Sequence, residues 1–138
     1  MLHLDNHTTA VARILHDLLA LSNGPVIIDN SNGLFLPVHV TRKPSIPELP
    51  GLIFSVAHHQ YLNRHLLLDP YMEFLMDIDG NVSPLMLEQQ GLTQIYVKIL
   101  KFDTNNRFVE IDLNRQAEII LFANMWLSNI ASQQKLIF

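Results

Sequence analysis

The chain has 138 residues, 49% of them apolar and only 16% charged, with no cysteine and a formal net charge of −4. That length suits one domain, the missing cysteines exclude disulfides, thiolate metal sites and a cysteine nucleophile, and nine scattered basic residues speak against nucleic-acid binding, which needs clustered Lys and Arg around phosphate. A charged fraction below the roughly 25% of an ordinary soluble domain leaves apolar surface to hide, which predicts a homodimer or a stable protein partner.

Val11, Ile14, Leu15, Leu18 and Leu19 recur at three- and four-residue spacing, predicting a helix over residues 8–21 with Asn6 or Thr8 as its cap. Residues 26–29 and 34–41 flank the turn-rich tetrapeptide 30–33 and read as a hairpin, with Leu34, Leu36, Val38 and Val40 toward the core. The Pro-rich stretch 44–51 reads as a surface loop and 52–57 as a strand. Residues 58–68 fit a short helix or more strand. Asp69-Pro70 is expected to break whatever precedes it. Met72, Phe74, Met76 and Ile78 then alternate in a strand, Asp79-Gly80 turns the chain, and residues 82–88 return with Pro84 marking an edge or a bulge. Ile95, Val97 and Ile99, then Val109, Ile111 and Leu113, alternate as two further strands of one antiparallel meander. A last helix is predicted over 115–134, capped by Asn114, with Ile119, Phe122, Ala123, Trp126, Leu127 and Ile130 on the buried stripe. Helix, strands, helix without regular alternation predicts a single α+β domain, a mostly antiparallel sheet of five to seven strands with the terminal helices packed on it. No apolar run spans a membrane, and residues 1–6 lack the features of a secretory signal, so a cytoplasmic protein without membrane contact is expected.

Candidate chemistry is sparse. His58, His59 and His65 with Asp69 would form a metal site if their segment folds back, and His39 can approach from a neighbouring strand, yet adjacent histidines on a strand point to opposite faces. Asp77, Asp79, Asn81 and Glu88 match positions of a calcium loop, but Val82 stands where that loop needs glycine, so an Asp-Gly hairpin is the better reading. Glu73, Asp77, Glu110 and Asp112 are expected on outward faces. His3, behind Met1 and Leu2, offers an imidazole that with the amine and two amide nitrogens closes a square plane suited to Cu(II) or Ni(II). Leu121 and Met125 lie off the buried stripe, and with Leu136, Ile137 and Phe138 they form the expected interface. No nucleophile elbow, phosphate loop, dinucleotide fingerprint or zincin motif is present, and no cofactor is expected.

The segment Asp69-Pro70-Tyr71-Met72-Glu73-Phe74, the proline at Pro84, and the closing pattern Phe122, Trp126, Asn129 and Gln133 resemble an uncharacterised domain family of plasmids and other mobile genetic elements. The resemblance covers the second half of the chain, implies accessory cargo of a mobile element, and transfers no functional residue. The leading expectation is a non-catalytic binding or adaptor protein acting on another protein or a small ligand. The alternatives are a small metal-assisted enzyme using the histidine cluster, and a protein like the acidic secretion chaperones, which hold a partner strand on an apolar face.

Overall fold

The amphipathic pattern at the amino end winds α1 (Asn6–Ala20), which buries Val11, Ala12, Leu15 and Leu19. It starts at Asn6, and neither predicted cap serves: Asp5 precedes the helix without a side-chain cap bond, and the Thr8 hydroxyl donates instead to Asn124 Oδ1 at 2.6 Å. This computed structural model describes residues 1–91 and 94–136. Six strands follow in an antiparallel sheet whose spatial order is the chain order: β1 (Val26–Ile28), β2 (Val38–Lys43), β3 (Leu52–Leu62), β4 (His65–Met76), β5 (Val82–Gln90) and β6 (Gln94–Lys98). A separate two-stranded sheet, β7 (Leu100–Phe102) with β8 (Phe108–Ile111), precedes α2 (Leu113–Gln133). The fold is α+β, as the sequence predicts.

The pairings Phe54 with Phe74, Val56 with Met72 and Met72 with Leu87 put these side chains on one face of the sheet. They share a single buried cluster with Leu15 of α1 and Ile119, Leu127 and Ile130 of α2, so both helices cover that face. Ile53 and Leu75 lie on the opposite face by the same register, and Ile46 and Leu49 of the Pro-rich loop join the cluster beside them. Gly51, at φ +139°, lets the loop return against the Met76 carbonyl, where a Cβ has no room.

Several boundaries differ from the sequence reading. Strand β2 begins only at Val38, and Leu34 and Leu36 are exposed, because β1 ends at Ile28 and offers no ladder for them. Residues 58–68 take the strand alternative, as the end of β3 and the start of β4, but Asp69-Pro70, a cis peptide, does not break the strand: it lies inside β4 beside a register shift. Pro84 lies in a central strand, at a bulge where Leu85 is the extra residue. The Leu85 carbonyl accepts from the Ile99 amide at 3.1 Å, so the chain leaves the main sheet there and β7 and β8 do not extend the meander. Leu113 opens α2 rather than closing a strand. The cap is Asp112, not Asn114: its side chain accepts from the Arg115 amide, which holds the carboxyl below its usual range.

Asp77 and Asp103 close two loops of the same design. Each carboxylate accepts the amides two and four residues ahead, at 2.8–2.9 Å, and a left-handed residue, Gly80 or Asn106, sits at the fourth position. Asp77 is therefore a turn former, and the calcium-loop match dissolves into a hairpin.

Candidate functional site

Strands β3 and β4 outrun their neighbours. Pairing of β2 with β3 stops at Val38 and His58, and pairing of β4 with β5 stops at Tyr71 and Glu88. The pairs from His59 with Leu68 to Leu62 with His65 therefore project as a two-stranded arm. Asn63 and Arg64 at its tip are both left-handed, at φ +51° and +68°, the conformation of a two-residue I′ turn. Gln90 braces the base of the arm, accepting from the Leu68 amide at 2.9 Å and donating to Glu88 Oε1 at 2.8 Å.

A groove of about 400 Å³ lies where the arm meets α2. One wall is the arm's base, with His58, Gln60, Asp69 and Pro70. The second is the loop carrying Leu34, Phe35 and Leu36. The third is α2, through Phe122, Trp126, Asn129 and Gln133. Gln60 and Asp69 also border a hollow of about 670 Å³ along the arm, lined by Leu62, Leu67 and Gly91 among others. Asp69 is the single carboxylate shared by the two, and its Oδ2 lies over Gly91, where a Cβ would collide with it.

Two kinds of carboxamide surround this site. Gln134 is fully buried and committed: its Oε1 accepts from the Asn30 amide at 2.7 Å and its Nε2 donates to the Leu36 carbonyl at 3.0 Å, which fastens the 29–37 loop to the end of α2. Gln116 does the same at the other end of the helix, accepting from the Leu2 amide at 2.8 Å and donating to the Pro84 carbonyl at 3.0 Å. Gln60, Asn129 and Gln133 border the groove without a side-chain hydrogen bond among the described residues. The Trp126 indole N–H, buried against His58 at 5.6 Å between centroids, likewise has no acceptor among them.

His58 Nδ1 lies 3.1 Å from the Pro37 carbonyl. A carbonyl only accepts, so Nδ1 carries the proton and neutral His58 presents Nε2 as an acceptor. Burial outweighs this bond and the nearby Asp69 charge and holds the imidazole below its ordinary range. A histidine more acidic folded than unfolded binds its proton preferentially in the unfolded chain, so stability is full above about pH 6.5 and is lost as pH falls through the folded value. His39 is shifted the same way, first by burial and then by His59. Melting temperature should therefore drop between pH 7.5 and 5.5. The drop should shrink in His58→Gln, and a slope unchanged by that variant would put the titration elsewhere.

The structure separates the histidines proposed as a metal cluster. His58 faces Trp126, whereas His59 stacks on His39 from β2 with centroids 3.6 Å apart, and His65 is exposed at the arm's tip. Asp69 is near His58 but opposite neither of the others. Among the described residues no three His, Cys, Asp or Glu side chains are grouped for a metal ion. At the amino end the Leu2 amide is bonded to Gln116, and His3 Nδ1 lies 2.9 Å from Ser83 Oγ, so closing a copper square plane would require both contacts to be given up. Glu73 accepts from the Tyr71 hydroxyl at 2.6 Å, and burial followed by this carboxylate raises the phenol above its ordinary range. Glu110 pairs with Lys101 at 3.5 Å. Leu121 and Met125 are exposed on α2 and Leu136 packs partly against the core, while Ile137 and Phe138 lie outside the described residues.

Sequence reasoning missed Gln60, the Leu34 to Leu36 wall and the two structural glutamines. Polar residues without a motif carry no signal until the fold brings them together. Asp69, Pro70, Phe122, Trp126, Asn129 and Gln133 carry the resemblance, which assigned them no function, and these six line one groove although more than fifty residues separate the two groups.

A family model described as Domain of unknown function (DUF6908) matches residues 9–136. No curated protein and no solved structure matches the chain significantly. The match takes in both halves, where the resemblance read from sequence rests on the second half alone. The core explains why: α1, β2 and β3 bury their apolar faces in the same cluster as β4, β5 and α2, so neither half has a core of its own.

Proposed function

The chain belongs to the DUF6908 family, and we propose that it is a non-catalytic binding protein that holds an extended segment of a protein partner in the groove between the arm and α2. The supporting observation is the trio Gln60, Asn129 and Gln133, set among Leu34, Phe35, Leu36, Phe122 and Trp126. A primary amide offers both donors and an acceptor, which is what an extended backbone presents in return, while the apolar walls accept alternate side chains. The same reading makes the protein accessory cargo of a mobile element, acting in the cytoplasm.

Trp126 is the only tryptophan in the chain and lines the groove, so its emission reports on this site. Panning a displayed random heptapeptide library should enrich peptides that shift that emission. Two lost hydrogen bonds of about 0.5–1.5 kcal/mol each predict roughly tenfold weaker binding to an Asn129→Ala/Gln133→Ala double variant with an unchanged melting temperature. Peptides that bind the double variant as well as the parent, or a library that shows no enrichment, would refute the proposal.

A further inference from the structure

The arm carries apolar surface that no other described residue covers. Tyr61, Leu62 and Leu66 are 75%, 59% and 46% exposed, and the hollow along the arm brings Leu62 and Leu67 up to Asp69. Exposed apolar patches of this kind on small proteins mark interaction sites. Charge along the arm is asymmetric: a cation, Arg64, stands exposed at the tip, and an anion, Asp69, stands at the base without an ion pair among the described residues. Leu67 lies between them on the face of the hollow with Leu62, while Leu66 and Leu68 alternate to the other face. Gly91 and the Gln90 brace hold the base in place, so Asp69 is presented by a fixed element.

We infer that the protein forms a symmetric homodimer through its arms, each laid antiparallel along the hollow of the other, with Arg64 of each chain reaching Asp69 of its partner. A two-fold contact requires a surface complementary to itself, so that residue i meets j and j meets i. An arm with a base at one end, an acid at the other and leucines between satisfies this when two copies run in opposite directions. Five residues separate Arg64 from Asp69, roughly 16 Å at about 3.3 Å per residue, and both charge pairs then close together while Leu62 and Leu67 of the two chains meet near the axis. The groove beside α2 stays open at its far side, with Asp69 at the junction of the two surfaces.

The proposal is tested by charge reversal with light scattering on the full chain. The parent should have the mass of two 15.8 kDa chains at micromolar concentration. Arg64→Glu, which sets two acids against each other twice over, should be a monomer, and so should Asp69→Lys, which sets two bases against each other. Mixing the two variants should restore a dimer of one chain of each kind, because both pairs are then opposite in sign. A parent that is monomeric, an Arg64→Glu chain that remains a dimer, or a mixture that stays monomeric would each overturn the proposal. If Asp69→Lys does not fold, Leu62→Ser/Leu67→Ser replaces it, and that variant must be a monomer with native circular dichroism. Peptide binding in the groove, tested at Asn129 and Gln133, stands or falls separately.

Discussion

Trp126→Ala is expected to lower the free energy of unfolding by about 3–5 kcal/mol, the range for removing a large aromatic side chain from a packed interior. Trp126 is 5% exposed and belongs to the central cluster, with the Phe122 ring 6.2 Å away and the His58 ring edge-on at 5.6 Å. It is the contact through which α2 reaches β3, so the cavity would open where the helix layer meets the sheet. One offset is built in: the indole N–H has no acceptor among the described residues, and the substitution removes that unsatisfied donor. Trp126→Phe separates the two effects, keeping most of the apolar volume while deleting the N–H, and should cost much less than alanine. Chemical denaturation of both variants gives the numbers. A loss under 1 kcal/mol for alanine would mean that α2 is not packed on the sheet through this side chain.

Gln134→Ala is expected to cost about 2–4 kcal/mol, because it orphans two backbone groups at once. The Asn30 amide loses its acceptor and the Leu36 carbonyl loses its donor, at a residue with no exposed surface. Asn30 Nδ2 retains its 3.0 Å bond to the Gln134 main-chain carbonyl, so the loop stays attached at one point. Released at the other, the Leu34 to Leu36 wall should exchange its amides with solvent faster than it does in the parent. Peptides selected on the parent should bind more weakly as well. Hydrogen exchange confined to α2 rather than the 29–37 loop would contradict the assigned role, as would a stability equal to that of the parent.

Some of this was legible because it depends on neighbours in the chain. The stripe Ile119, Phe122, Ala123, Trp126, Leu127 and Ile130 is a helical period, and all but the partly buried Phe122 are buried on α2. The alternation of Met72, Phe74 and Met76, the Asp-Gly turn and the disturbance at Pro84 are equally local, and each appears where it was expected, the last as a bulge, although Ile78 lies exposed beyond the end of β4. The choice of cap was not legible: Asp112 and Asn114 are both good capping residues, and their difference depends on where the chain leaves β8. Leu34 and Leu36 alternate as well as Val38 and Val40 do, yet only the latter pair has a partner strand, since β1 is three residues long and the Asn30 amide is taken by Gln134.

What the sequence by itself determined is the α+β class, the helices at both ends, the mostly antiparallel character of the sheet and most side chains of the core. These follow from periods of 3.6 and 2 that each element carries within itself. Tertiary structure alone decided which strands outrun their neighbours, that β7 and β8 leave the sheet, and that His58 meets Trp126 while His59 meets His39. It also decided that Leu34 to Leu36, Gln60, Asp69 and four residues of α2 surround one groove. The physical reason is the range of the interactions: pairing limits and bulges depend on other strands, and the Gln116 and Gln134 tethers join groups 32 to 114 positions apart. No local pattern encodes the meeting of residues that far apart.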